Sequence, residues 1–132
     1  MTERRPSVLI VEKDVMVKTY YHFILSDCYQ LFMIENVLGA SKIIETKNIE
    51  CIILDLSFCR WEDDEVLTRF IRQENKDLKT SILGVAHNPY LVDRQRALGA
   101  ECDGYIVKPF NVDIFLETIA NLISTRHINQ IA

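Results

Sequence analysis

The chain has no apolar stretch near the ~18 residues that a membrane span needs, and nothing apolar follows its two early arginines at signal-peptide length. A cytoplasmic location is the expectation. A basic excess is also missing: 15 Lys and Arg stand against 19 Asp and Glu, a formal −4, which argues against direct nucleic-acid binding. The four cysteines (Cys28, Cys51, Cys59 and Cys102) form no C-x-x-C pair and have no histidine at ligand spacing. They read as small apolar thiols rather than a zinc site, although Cys59, beside Arg60 in a loop candidate, leaves a redox role open. No repeat, low-complexity tract or Pro/Gly/Ser linker divides the chain. One domain over 1–132 is expected, large enough to bury roughly two thirds or more of its unfolded surface.

What is present is a series of short apolar runs. Ser7–Val11 reads as a strand, followed by a helix over Val15–Leu25 with Val17, Tyr21, Ile24 and Leu25 at helical spacing. Tyr29–Ile34 is a second strand, and Asn36 is placed to cap a helix carrying Leu38, Ile43 and Ile44. Cys51–Leu56 is the most hydrophobic strand. Glu62–Asn75 reads as a helix whose acidic first turn suits the helix dipole. Ser81–Ala86 is a fourth strand with Gly84 inside it; Pro89 then opens a helix to Leu98 that Gly99 would end. Gly104–Val107 is a fifth strand, and Asn111–Thr125 a closing helix.

Five β-α repeats imply an α/β domain, doubly wound, with a parallel five-stranded sheet of flavodoxin-like order 2-1-3-4-5. Strands one and three are then neighbours. Three charged sites follow the apolar runs: Glu12-Lys13-Asp14, Asp55 and Lys108. They meet at the carboxyl edge of the sheet, where ligands of such folds sit. A dinucleotide is excluded there, because no G-x-G-x-x-G follows the first strand and Glu12 and Asp14 would repel a pyrophosphate. No G-x-S-x-G elbow is present, and no histidine has a nucleophile at recognisable spacing. Acids with a lysine suit a divalent cation and a phosphoryl group carried on an aspartate.

Several segments together resemble the receiver domain of two-component response regulators over essentially the whole chain. They are VLIV before the acidic loop, IILDL around Asp55, Leu98-Gly99-Ala100, and Gly104-Tyr105-Ile106-Val107-Lys108-Pro109-Phe110. The resemblance implies a signalling domain rather than an enzyme, with Asp55 as phosphoacceptor and Lys108 as the phosphoryl contact. It also implies a cis Lys108–Pro109 bond, Tyr105 as the switch aromatic, and an acidic pocket for Mg²⁺ around Glu12, Asp14 and Ser57. The partners it implies are a histidine kinase or phosphotransfer protein. An output domain, a partner protein or a second copy would meet the face of the fourth helix, fifth strand and fifth helix.

Two positions depart from the family pattern. Lys13 stands where the family carries its second acid, the direct magnesium ligand. Ala86 stands where it has a Ser or Thr that binds the phosphoryl oxygen, and the bulky His87 follows. Lesser departures are Cys59 in place of proline and two extra residues between Ala100 and Tyr105.

An ammonium at the metal position would oppose a dication, since unit charges ~4 Å apart interact by about 4 kcal/mol at an effective dielectric of 20. Lys13 turned to solvent would instead leave Glu12 and Asp14 free for metal. Ala86 forfeits a charge-assisted hydrogen bond of roughly 1.5–3 kcal/mol, comparable to the gap of a two-state switch. The expectation is an atypical receiver, or pseudo-receiver, with weakened Mg²⁺ binding and impaired phosphorylation at Asp55, acting largely through protein contacts. A conventional phosphoacceptor is the alternative. Trp61 is placed as a lid or partner contact, Glu62–Glu65 as a solvated helical turn or a replacement ligand, and His87 as a substitute phosphoryl contact.

Overall fold

A computed structural model gives the structure over residues 5–35, 39–56, 80–90, 92–93 and 102–131. Its elements are β1 (Ser7–Val11), α1 (Val15–Leu25), β2 (Gln30–Ile34), α2 (Ala40–Lys47), β3 (Cys51–Asp55), β4 (Ser81–Ala86), β5 (Gly104–Val107) and α3 (Val112–Ile131). All strand pairs are parallel and the order is β2-β1-β3-β4-β5. The three inner strands are buried along their whole length, while β2 and β5 at the edges are only partly so. That is why the inner runs are continuously apolar.

Alternation along the strands builds two cores. Leu9, Val11, Ile52 and Leu54 face one way and pack with Ala40 and Ile44 of α2. Val8, Ile10, Cys51 and Ile53 face the other way, against Tyr21 and Leu25 of α1 and Phe115 and Ile119 of α3. The second core contains an aromatic stack. Tyr21 lies 5.7 Å from Phe115, and Phe115 lies 4.5 Å from Phe110, with interplanar angles of 22° and 18°. These rings tie α1 and α3 to the Lys-Pro-Phe segment.

Beyond shifts of one residue at the start of β2, the end of β3 and the start of α3, two boundaries differ from the expected ones. The last helix continues past Thr125 to Ile131, because Arg126–Gln130 contains no glycine or proline to stop it. It starts after Asn111, whose side chain accepts from the amides of Asp113 and Ile114. The helix after β2 begins at Ala40 behind Gly39, with no side-chain cap bond. Residues 89–90 and 92–93 are helical, as Pro89 suggested. Asn36, Leu38, Ser57, Cys59, Trp61, the Glu62–Asn75 segment and Leu98–Ala100 lie outside the described residues.

Among the described residues no helix is long and apolar enough to cross a membrane. Among the described residues no disulfide joins Cys28, Cys51 or Cys102.

Candidate functional site

Asp55 ends β3 and Glu12 immediately follows β1, and the register Val11↔Leu54 sets them side by side. By strand alternation both face the α1/α3 side. Lys108 follows β5, its amide bonded to the Ala86 carbonyl at 2.8 Å, and the Lys108–Pro109 bond is cis. From there the ammonium donates to Asp55 Oδ2 at 2.7 Å. Asp55 is 1% exposed and Lys108 20%. Three strand ends thus deliver two carboxylates and one ammonium to a single buried point.

Glu12 is the unbalanced member. It is 1% exposed, and neither of its oxygens has a donor among the described residues. Its carboxyl is pushed up to about 7, first by burial and then by the charge of Asp55, with Lys108 pulling the other way. The contact with Asp55 is carboxyl to carboxyl, so it becomes a hydrogen bond only when one of the two holds a proton. A proton or a cation must therefore accompany this pair.

Lys13 does not supply that cation. It is exposed, pairs with no acid among the described residues, and is not among the charges acting on Glu12. The suggestion that it fills the metal position gives way to an outward lysine. Asp14 does not take over the vacated role either. Its carboxylate caps α1, accepting from the Met16 amide at 2.8 Å and the Val17 amide at 3.2 Å. The D-x-x pattern before an apolar helix would have given this from the sequence. Asp14→Ala should cost about 1 kcal/mol in urea unfolding and leave metal affinity unchanged.

Ala86 ends β4 fully buried, with no hydroxyl to offer, and His87 beyond it is exposed. His87, Lys108, Pro109 and Phe110 line a groove of about 520 Å³ with Met16 and Tyr20 of α1. Tyr105 is half-buried, and its hydroxyl accepts from the Cys102 amide at 3.1 Å. That partner lies toward the amino end of β5, away from Ala86, which pairs with Val107. The ring crosses Gly84, where a Cβ would come within 3.1 Å of both the ring and Cys102 Sγ. Glycine inside β4 is what lets Tyr105 and Cys102 close over the strand.

Sequence comparison agrees with this architecture. The family model of the response regulator receiver domain matches residues 8–120. The chain belongs to that family. Its fold is that of receiver structures such as one from Bermanella marisrubri (25% identity, TM-score 0.76, 91% of this chain and 99% of that one). Another is the receiver domain of the sensor histidine kinase PA1611 of Pseudomonas aeruginosa (22% identity, TM-score 0.75, 91% and 98%), which holds a magnesium ion in its active-site cleft. A curated relative, the "Probable transcriptional regulator ycf29" of Pyropia yezoensis, is 25% identical over 119 residues, 89% of this chain. The chain spans about half of that relative's length, 53%. Receivers are two-component signalling domains that typically bind Mg²⁺ and work with kinases and output domains.

The residues of this receiver fit such a cation in part. Glu12 and Asp55 offer hard oxygen donors, and the two donorless Glu12 oxygens suit a cation. No third carboxylate joins them among the described residues.

The hydroxyl of Tyr21 escaped the sequence reading. Helical spacing marked Tyr21 only as core, yet its hydroxyl is buried and has no hydrogen-bond partner among the described residues.

Proposed function

We propose that this is an atypical receiver: Asp55 occupies the phosphoacceptor position, Mg²⁺-dependent phosphorylation there is impaired, and the domain acts largely through protein–protein contacts. The observation that carries the reading is the divided loop after β1. Glu12 alone enters the pocket, while Lys13 is exposed and Asp14 is held by the amides of α1.

In phosphorylation an Asp55 oxygen attacks phosphorus, a P–O bond forms, and the bond to the donor's nitrogen or oxygen breaks. Lys108 would then leave Asp55 for the phosphoryl oxygens. Mg²⁺ supplies the remaining neutralisation of developing charge when it is bound. With one acid fewer to hold it, and no hydroxyl at Ala86 or metal ligand from Lys13, both the reaction and its readout are weakened. His87, exposed beyond β4, is the proposed substitute for that hydroxyl as a phosphoryl contact.

The proposed partners are a histidine kinase or phosphotransfer protein on the pocket side. An output domain, partner protein or second copy would meet the face built from the helix opening at Pro89, β5 and α3. A cytoplasmic site of action, without direct nucleic-acid binding, fits the charge balance.

A conventional phosphoacceptor is the second reading, favoured by the intact Lys108–Asp55 pair at 2.7 Å. Labelling with a small phosphodonor across a Mg²⁺ series, with Asp55→Asn as blank, separates the two. Lys13→Asp should lower half-saturating Mg²⁺ about tenfold, the worth of ~1.4 kcal/mol, and speed labelling with it. Wild-type protein labelled as readily as Lys13→Asp would establish the conventional reading instead.

A further inference from the structure

Among the described residues, three buried side-chain oxygens have no hydrogen-bond partner: both of Glu12 and the hydroxyl of Tyr21. Native interiors leave few such groups, and these three are complementary. A phenol donates, and a carboxylate accepts.

They also share one compartment. Glu12 continues the Val8, Ile10 alternation toward the α1/α3 side, and Tyr21 belongs to that core. Both residues are 1% exposed, and the charges of Asp55 and Glu12 both bear on the Tyr21 hydroxyl. Burial and those charges push its ionisation up, so it keeps its proton. The ring is seated on Phe115, itself stacked on Phe110, which anchors it in this layer.

We propose that Tyr21 is a positioning residue of the acid pocket, its hydroxyl donating to the Glu12 carboxylate directly or through one water. Such a water would have the Tyr21 hydroxyl and the Glu12 oxygens as polar partners, enough to hold it. The bond, assisted by the carboxylate's charge, fixes which way Glu12 faces beside Asp55. Valine or leucine at position 21 would fill the core without doing this. The inference rests on Glu12 being a working member of the pocket.

A double-mutant cycle in metal-free buffer at pH 8 tests it, reading the folded-to-unfolded ratio from urea titrations. Tyr21→Phe should lower that ratio about tenfold beside Glu12, and leave it unchanged or raised beside Glu12→Met. Equal changes in the two backgrounds would overturn the proposal.

A second measurement uses Mn²⁺ with Lys13→Asp, where adding Tyr21→Phe should weaken binding about tenfold, the lower end of what losing an outer-shell partner costs a metal site. An unchanged dissociation constant counts against positioning. Failure of Lys13→Asp to bind Mn²⁺ at all counts instead against the reading of the pocket, and the metal-free cycle still judges Tyr21.

Discussion

Lys108→Met should lose about 3–5 kcal/mol of folding stability at pH 8, the usual cost of removing one partner from a buried ion pair. The Lys108 ammonium lies 2.7 Å from Asp55 Oδ2, and Asp55 is 1% exposed. Glu12, equally buried, stands against Asp55 with no donor of its own among the described residues. Taking the ammonium away removes the positive charge beside two neighbouring buried carboxyl groups. The methionine chain retains the packing of the lysine stem, so the loss reports charge rather than volume. Two controls make the origin visible. At pH 5 Glu12 holds its proton, and the loss should shrink. Adding Asp55→Asn removes the carboxylate that Lys108 neutralised, and most of the stability should return. Urea unfolding of the single and double variants at both pH values reads all of this. A loss below about 1 kcal/mol, the scale of surface pairs, would mean that Lys108 is effectively solvated and the pocket is open to water.

The backbone-level part of this pocket was legible because it depends on local patterns. Continuous apolar runs announce buried parallel strands, and the charged residue after each run falls at the carboxyl edge whatever the loops do. The strand pattern alone brings Asp55 and Lys108 to one pocket. Glu12 could be placed beside Asp55 once strands one and three were neighbours. Side-chain direction inside the loop was not legible in the same way. Lys13 and Asp14 differ by one residue in chain position, and the fold turns the first outward and assigns the second to the amides of α1. A cap signal and a ligand signal are the same residue type, and only the helix start decides between them. Tyr21 illustrates a second limit. Helical spacing records that a position is buried, but it is silent on what a polar atom at the end of a buried ring will meet. Tyr105 shows a third: its hydroxyl bonds the Cys102 amide, inside the segment that carries the two extra residues. Family spacing pointed to a departure there, without telling that the departure would engage the aromatic.

Glu12→Gln should make the domain more stable above neutral pH, by on the order of 3 kcal/mol from the size of its shift. The sign follows from proton binding. An unfolded glutamate titrates near 4.5, whereas in the fold burial and the Asp55 charge push Glu12 up to about 7. Between those values the folded state holds a proton that the unfolded state has released. Stability therefore falls as pH rises through that window, and the deficit is complete above it. Glutamine stays neutral throughout and can donate its amide to Asp55. The two proteins should be nearly equally stable at pH 4 and should separate progressively toward pH 8, as followed by urea midpoints. Identical pH profiles would show that Glu12 is hydrated in solution. Millimolar Mg²⁺ extends the argument from stability to purpose. A cation that binds the folded carboxylate stabilises wild-type protein by mass action and cannot do so for the amide. Closing of the pH 8 gap by Mg²⁺ would identify the cost of keeping Glu12 buried as the cost of a ligand site. A gap indifferent to Mg²⁺ would leave the proton as the pocket's working counter-ion, as expected of a receiver that retains its phosphoacceptor position with little metal to serve it.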